Sequence, residues 1–298
     1  MRTDRRDDLK QKNNLGGKAM LKSMYSGVTG MRGFQTKLDT IGNNIANVNT
    51  VGYKKSRVMF QDLLSQNMGG GGVNPKQVGL GSANSSIDVL HNPGSPMATG
   101  VSTDLAIDGK GFFLIKHTDG RELLTKGGNF YLDQNRVLKN SQGFEVMGYK
   151  MDPQLDANGN PVVDAAGNPQ FTTDKTQRVN IDVPLNFTVN AKGQVIDLDT
   201  KQPVFALAVS APSNPSGLNK IGGSTYEMTA QANPNGALDD NTADAIGVQI
   251  NSGQLEMSNV DLTEEFTEMI VAQRGFQANS KIITTSDEIL QEIVNLKR

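Results

Sequence analysis

Few residue types in this chain of 298 residues could carry out chemistry. Gly109-Lys110-Gly111 resembles the start of a dinucleotide-binding loop, but the position that needs a third glycine holds Leu114. A phosphate-binding loop ending at the same lysine would need a glycine where Asp104 stands. The sequence therefore predicts no nucleotide cofactor at this glycine pair.

A second candidate site is the acidic, turn-rich segment that begins at Asp156. Its first, third and fifth positions carry the oxygen ligands of a calcium loop. The position for the invariant glycine holds Pro161, however, and the position for the bidentate acid holds Gly167. We therefore predict no metal ion at this segment.

Nucleophilic catalysis is equally poorly supported. His91 and His117 have no motif around them, and Gly94-Ser95-Pro96 is a turn without the Gly-x-Ser-x-Gly pattern of a nucleophile elbow. The chain contains no cysteine, which excludes disulfides and thiolate zinc sites. We predict no catalytic residue, no cofactor and no metal, although an enzyme with a polar pocket stays an alternative.

Charge and hydropathy exclude further classes of partner. The formal net charge of −2 lacks the basic field that nucleic acids and anionic membranes attract, and we expect no nucleic acid or small-molecule substrate. No apolar run reaches the length of about 18 residues that a membrane-spanning helix needs. The 32 glycines indicate many turns.

Apolar residues recur every seventh position near both ends of the chain, which is typical of helices that face a partner helix along one seam. The same spacing also fits two amphipathic helices packed on their own globular core. In either case the apolar positions predict where the helices bury surface or contact other copies. These predicted assembly residues are Leu21, Met24, Val28, Met31, Leu38, Ile41, Ile45, Leu262, Phe266, Met269, Phe276, Ile283, Leu290 and Val294.

Local signals define how the two helices begin and end. Gly27, Gly30 and Gly33 share one helix face, so another backbone can approach closely, and the asparagine-rich stretch from Asn43 to Asn49 predicts the helix end. Asp261 is the expected N-cap of the C-terminal helix.

Between the helices the pattern is that of β-structure. Short apolar runs such as 105–107, 112–115 and 204–209 alternate with Asp-Gly and Asn-Gly steps, which favour hairpin turns, for example at 108–109 and 119–120. The fold class is therefore mixed α and β, with terminal helices pairing as a coiled-coil domain around a central, mainly antiparallel β domain.

The predicted domains follow from these patterns. Residues 20–50 and 258–298 form the terminal helical domain, and 51–90 form an extended or β linker with a glycine-rich loop from Met68 to Val73. Residues 91–257 form the central β domain, with a turn-rich excursion near 151–175. We expect the segments 50–52 and 68–72 to act as hinges because glycine deforms easily.

Residues 1–19 are polar and unlike the rest of the chain. They lack the apolar core of a signal peptide. Leu15-Gly16-Gly17-Lys18-Ala19 could reflect a ribosome-binding sequence, so we expect 1–19 to be a mis-annotated start before Met20, or else a disordered extension.

Three motifs resemble a known family. Residues 20–27 and 41–54, from Ile41-Gly42-Asn43-Asn44 to Gly52-Tyr53-Lys54, resemble the N-terminal signature of bacterial flagellar hook and rod proteins. Residues 104–113, Asp-Leu-Ala-Ile-Asp-Gly-Lys-Gly-Phe-Phe, resemble their mid-chain motif. Residues 258–262 and 269–279 resemble their C-terminal signature, and together the motifs frame the chain from Met20 to Arg298.

The resemblance implies a structural protein of the flagellum. Such subunits leave the cell through the flagellar export apparatus without a cleaved signal peptide. They polymerise outside the membrane into a hollow helical tube lined by the terminal helices. The expected partners are copies of the chain and other axial proteins, namely rod, hook–filament junction and hook cap proteins.

Within the family the sequence favours a hook subunit, part of the curved universal joint between rod and filament. Residues 270–274, Ile-Val-Ala-Gln-Arg, and 293–296, Ile-Val-Asn-Leu, carry this preference. The distal rod is the alternative, because the stretch between Gly148 and Gln202 is too short for the extra outer domain of many hook proteins. A monomeric binding module remains a third possibility.

Overall fold

The computed structural model describes residues 4–64, 66–67, 77–154, 171–184, 186–234 and 240–296. Side chains are described within these ranges except at 4–21, 66–67, 77–78, 172–177 and 240. The chain divides into two compact units. The helical unit comprises Met1–Ala46, Ser56–Val89 and Asp261–Arg298, and the β unit comprises Asn47–Lys55 and Leu90–Val260.

The described helices are α1 (Asp4–Ala46), α2 (Ala243–Ile246) and α3 (Leu262–Asn295). The 34 residues of α3 give it a length of about 50 Å at 1.5 Å per residue. Among the described residues, neither α1 nor α3 contains a stretch apolar enough for a helix that crosses a membrane.

Both helix boundaries expected from the sequence are confirmed. Helix α1 ends at Ala46, inside the asparagine-rich stretch. Asp261 caps α3, because its Oδ1 accepts hydrogen bonds from the backbone N–H groups of Thr263 at 2.8 Å and Glu264 at 3.4 Å. These bonds satisfy two donors that have no partner within the helix.

A β-hairpin accompanies the helices in the helical unit. Strand β1 (Ser56–Asp62) pairs antiparallel with β4 (Ser82–Val89), with a register shift between Met59 and Phe60. The short strands β2 (Gln66–Asn67) and β3 (Gln77–Val78) also pair. The hairpin thus lies in the stretch that the sequence assigns to an extended or β linker, and the glycine-rich loop from Met68 to Val73 lies outside the described residues.

The β unit contains the remaining strands. They are β5 (Pro96–Ala98), β6 (Leu105–Asp108), β7 (Phe112–Lys116), β8 (Glu122–Thr125), β9 (Phe130–Leu132), β10 (Leu138–Asn140), β11 (Glu145–Pro153), β12 (Phe171–Asn180), β13 (Phe187–Val189), β14 (Gln194–Asp197), β15 (Pro203–Ser210), β16 (Asn219–Gly222), β17 (Thr225–Glu227), β18 (Asp240–Thr242), β19 (Gln249–Ser252) and β20 (Gln254–Glu256).

A large sheet dominates the β unit, with the strand order β13-β14-β15-β11-β7-β8-β17-β16 along its main path. All strand pairings between described strands are antiparallel, which confirms a mixed fold with a mainly antiparallel central domain. The core packs around β7, where Phe113, Leu114 and Ile115 are completely buried. Strands of this kind are apolar along their whole length because both faces are covered.

One of the two hairpin turns expected above is confirmed and the other is wrong. Strands β7 and β8 form a hairpin around Gly120, whose φ of 84° suits an Asp-Gly turn. Gly109 does not close a hairpin, because β6 pairs with β19 while β7 pairs with β8, β11 and β15. The calcium-like segment and its near repeat, 156–169, lie outside the described residues.

Candidate assembly surface

Helices α1 and α3 lie antiparallel in the helical unit and touch through small side chains. A Cβ atom added to Gly27 would lie 3.2 Å from Cγ1 of Ile283, and one added to Gly30 would lie 3.0 Å from the Asn279 side chain. At Gly275 an added Cβ would lie 2.5 Å from the Phe34 ring. Gly27 and Gly30 of the expected glycine face therefore lie in a close helix–helix contact, whereas a Cβ added to Gly33 would lie 2.7 Å from the Phe60 ring of β1.

Polar side chains fix the same contact nearer the cap of α3. The Asn44 side chain bonds both backbone groups of Ser56, accepting from its N–H at 3.0 Å and donating to its carbonyl at 2.9 Å. Asn44 Nδ2 also donates to Oε2 of the buried Glu265 at 3.1 Å. Asn44 thereby joins α1, the start of β1 and the first turn of α3.

Most of the predicted heptad positions are partly buried, and Ile283 contacts Gly27. Among the predicted assembly residues with a described side chain, only Ile41 is buried, while the side chain of Leu21 is not described. The contact points of α1 and α3 include glycine and polar residues as well as apolar ones, and coiled-coil pairing through the heptads is not confirmed. Leu262, Phe266 and Val294 are exposed.

A second, mainly apolar row on α3, which the heptad spacing did not identify, is also exposed. Val271, Ala278, Ile282, Thr285, Ile289 and Ile293 follow at steps of three, four and seven residues, and we call them the outer stripe. Val271 is 54 % exposed, Ile282 46 % and Ile293 49 %. At 100° per residue the outer stripe lies beside the face that holds the buried Ala272 and Ser286.

The outer stripe also carries a depression. Its volume is about 280 Å³, and its described lining consists of Ala278, Lys281, Ile282, Thr285 and Ser286. A contiguous apolar surface with a depression is typical of a protein–protein contact. The spacing of the stripe was present in the sequence, but only the structure shows that α1 covers the neighbouring face and leaves this one open.

The residues considered for catalysis make structural contacts instead. The ring of His91 packs edge-on against Phe112 and Tyr226, at centroid distances of 5.7 and 5.3 Å. His117 Nδ1 accepts from the backbone N–H of Asp119 at 3.1 Å inside the β7–β8 turn. The described residues contain no cluster of His, Cys, Asp or Glu that could hold a metal ion.

Family comparisons match three parts of the chain. Residues 24–54 match a flagellar basal body rod protein family, and residues 106–197 match the D1 domain of the flagellar hook proteins FlgE/F/G. Residues 251–296 match the C-terminal region of the flagellar basal body rod proteins FlgEFG.

Individual relatives agree with the family matches. The flagellar basal-body rod protein FlgG of Bacillus subtilis is 46 % identical over 287 residues, covering 94 % of this chain and all of the relative. FlgG of Borreliella burgdorferi is 33 % identical over 292 residues, with 94 % and 100 % covered. The flagellar hook protein FlgE of the same organism is 28 % identical, and its alignment spans 446 residues, 93 % of this chain and 100 % of the relative.

This chain belongs to the flagellar hook and rod protein family. It is a structural protein of the flagellar hook or rod and not an enzyme. The family expected from the three sequence motifs is thereby confirmed. Within the family, the preference for the hook is less well supported than its alternative, the rod.

Proposed function

We propose that this chain is the distal rod subunit of the flagellar basal body, assembling with copies of itself into a hollow helical tube. The observation that carries this choice is the alignment length. The chain aligns with the rod protein of Bacillus subtilis over 287 residues without leaving any of the relative unmatched. The hook relative needs 446 positions, so it carries a long insertion that this chain of 298 residues lacks.

The hook stays the second candidate function, supported by the 28 % identity to a hook protein across its whole length. The two functions differ in where the chain lies in the flagellum. In purified hook–basal bodies, we expect antibody label against the β unit to fall on the rod. Label along the curved hook, with an unlabelled rod, would reject the rod assignment and support the hook.

Self-assembly through the helical unit is the mechanism we propose. Val271, Ile282 and Ile293 of the outer stripe each expose about half of their surface, and each aliphatic side chain of this size gains roughly 1.5–3 kcal/mol when it is fully buried. Copies that cover these side chains in a tube would recover that free energy at every subunit. The heptad residues would then complete coiled-coil packing in the polymer.

Partners and route follow from the same proposal. The subunit would pass through the flagellar export apparatus without a cleaved signal peptide and assemble outside the membrane. Neighbouring axial proteins would then contact the ends of the tube.

Two double variants of α3 test the assembly mechanism. Phe276→Ala with Ile283→Ala removes two half-buried side chains, of which Ile283 contacts Gly27 of α1, whereas Val271→Asp with Ile282→Asp places charges on the outer stripe. We expect both to abolish tube formation in electron micrographs and to leave the thermal melting of the β unit unchanged. The second should also leave the pairing of α1 and α3 intact.

The control for the outer stripe is Gln273→Asp with Gln277→Asp. It adds the same two charges to exposed positions on the other flank of α3, so tubes should still form. If the control blocks assembly as strongly as the stripe variant, charge on α3 rather than the stripe is responsible. If either test variant unfolds the β unit, the helices are part of one globular core and the mechanism is wrong.

A further inference from the structure

A buried ionic cluster in the β unit has no role in the assembly surface described above. It consists of Lys54, Lys126 and Glu256, whose side chains are 0 %, 3 % and 5 % exposed. The Lys54 ammonium contacts Glu256 Oε1, and the Lys126 ammonium lies 3.2 Å from Glu256 Oε2. Buried charges are costly unless they are paired, so this cluster constrains the residues around it.

Glu256 collects partners from several parts of the chain. Its Oε1 accepts from the Gly94 N–H at 3.0 Å, and its backbone carbonyl accepts from the Gly52 N–H at 2.8 Å. Lys54 Nζ donates to the Asn92 carbonyl and Lys126 Nζ to the Gly109 carbonyl, both at 2.8 Å. One carboxylate therefore connects residues that are about two hundred positions apart in sequence.

Asn259, three residues after Glu256, also forms hydrogen bonds to separate parts of the chain. Its Oδ1 accepts from the Lys55 N–H at 2.8 Å, and its Nδ2 donates to the Leu90 carbonyl at 2.8 Å. Leu90 in turn donates its N–H to the Lys55 carbonyl at 2.9 Å. We call Lys54, Lys126, Glu256 and Asn259 the connection clamp.

The connection clamp joins stretches of the β unit that end where the chain passes into the helical unit. The chain passes between the two units at four points, which follow residues 46, 55, 89 and 260. The β-unit stretches that lead to these points are 47–55, 90–95 and 254–260, and the connection clamp ties all three together. Gly52 is part of this packing: its φ is 66°, and an added Cβ would lie 2.5 Å from the Gly127 nitrogen.

These contacts hold the segment 50–52 within the β unit and count against the expected hinge there, which stays a prediction. The second expected hinge, 68–72, lies outside the described residues. Glycine serves at Gly52 to reach a left-handed conformation in a crowded turn and not to deform.

We infer that Glu256 is a positioning residue: it holds together the three stretches that lead into the helical unit, and acid releases them. This inference does not depend on whether the chain is a rod or a hook subunit. It requires only that α1 and α3 pair best when the β-unit stretches joined to the helical unit are fixed. Opening the connection clamp would free these stretches while the core around β7 stays folded.

The acid response follows from the charges that face the clamp. Burial alone would raise the pKa of Glu256, but Lys126, Lys54 and the Gly94 N–H outweigh burial and hold that pKa below its ordinary value. The stability that the Glu256 carboxylate gives the folded chain is fully present above the ordinary carboxyl pKa. It is lost as pH falls through the lowered pKa of the folded chain.

His91, within the 90–95 stretch, also makes the folded chain less stable in acid. Burial, with Lys54, Lys126 and Lys220 nearby, lowers the pKa of His91 from 6.5 to about 4. Between pH 6.5 and about 4, the imidazole is therefore protonated in the unfolded chain and neutral in the folded chain. The stabilisation is complete above 6.5 and declines as pH falls through about 4.

Other ionisable groups also face the clamp. Burial lowers the pKa of Lys126 and of Lys220. Burial likewise raises the pKa of Tyr226. Asp108 faces Lys126 as a further acidic group, and Tyr53 faces Tyr226.

Hydrogen exchange of the full-length monomer, read by mass spectrometry and corrected for intrinsic rates, tests the inference without requiring polymerisation. Glu256→Gln keeps the size of the side chain but leaves two buried ammonium groups without a counter-charge. We expect exchange in 47–55, 90–95 and 254–260 to rise by about a hundredfold at pH 7, since removing one partner of a buried ion pair is strongly destabilising. Strands β7 and β15 should keep their protection.

The pH profile separates positioning from general stabilisation. In the unaltered chain, exchange in the three stretches should rise as pH falls from about 6.5 towards 4 and below. Glu256→Gln should lose the part of the step that falls below the ordinary carboxyl pKa and keep the part between 6.5 and 4 that comes from His91, whereas Glu256→Asp should restore part of the protection at pH 7. The control is Glu122→Gln, which removes a part-exposed ion pair with Arg178 in the same unit and should match the unaltered chain.

Two results would overturn the inference. If Glu256→Gln leaves exchange in the three stretches unchanged, the clamp does not hold them. If protection falls equally in β7 and β15, Glu256 stabilises the whole β unit and has no specific positioning role. Neither result bears on the rod assignment, which is decided by location in the basal body.

Discussion

The two units differ in how completely they bury their apolar side chains. In the β unit, Phe113, Leu114, Ile115, Val146 and Val209 are each 0 % exposed. In the helical unit, the buried apolar residues among those described are Ile41, Val58 and Ala272. A sheet covered on both faces closes its own core, whereas two helices and a hairpin leave much of each helix surface open. The helical unit is therefore the one whose core neighbouring copies can complete.

A core substitution in the β unit should have the largest effect. Phe113→Ala removes a ring that packs edge-on against Phe130 at 5.2 Å, and it should lower the free energy of unfolding by about 3–5 kcal/mol. Urea unfolding followed by circular dichroism measures this loss. Tyr131→Ala, at a position 45 % exposed, is the control and should cost far less. Equal losses for the two variants would mean that the closed core around β7 does not determine the stability of the β unit.

The polar contact in the helical unit should give an intermediate effect. Asn44→Ala leaves the Ser56 backbone groups and the buried Glu265 carboxylate short of partners, which should cost about 1–3 kcal/mol. Faster hydrogen exchange in α1 and α3, with unchanged exchange in β7, is the expected signature. Gln35→Ala, at an exposed position of α1, should change neither. A loss of protection throughout the β unit would show that the helical unit does not open independently.

The smallest expected effect is a gain in the stability of α1. A Cβ added at Gly42 meets no atom within 4 Å, so Gly42→Ala should stabilise α1 by up to about 1 kcal/mol through helix propensity. Gly30→Ala should gain less, because its Cβ would lie 3.0 Å from Asn279. Thermal melting of the helical signal in the monomer compares the two. An equal gain at both positions would mean that the close contact between α1 and α3 does not constrain Gly30.

Local features of this protein could be predicted from the sequence. The Asp261 cap, the end of α1 among asparagines, strands β6 and β7 and the turn at Gly120 each depend on a few neighbouring residues. The motifs that identify the family are also continuous segments. The hook preference had no such support, because it rested on two short segments, while the alignment lengths of whole relatives favour the rod.

Long-range contacts required the tertiary structure. The sequence showed the heptads but not that Gly30 would face Asn279, nor that the outer stripe would remain uncovered. Lys54, Lys126 and Glu256 are unremarkable charges along the chain, and only folding brings them together in a buried site. The physical reason is that propensity and capping act over one or two turns, whereas burial and charge pairing depend on which distant segments meet.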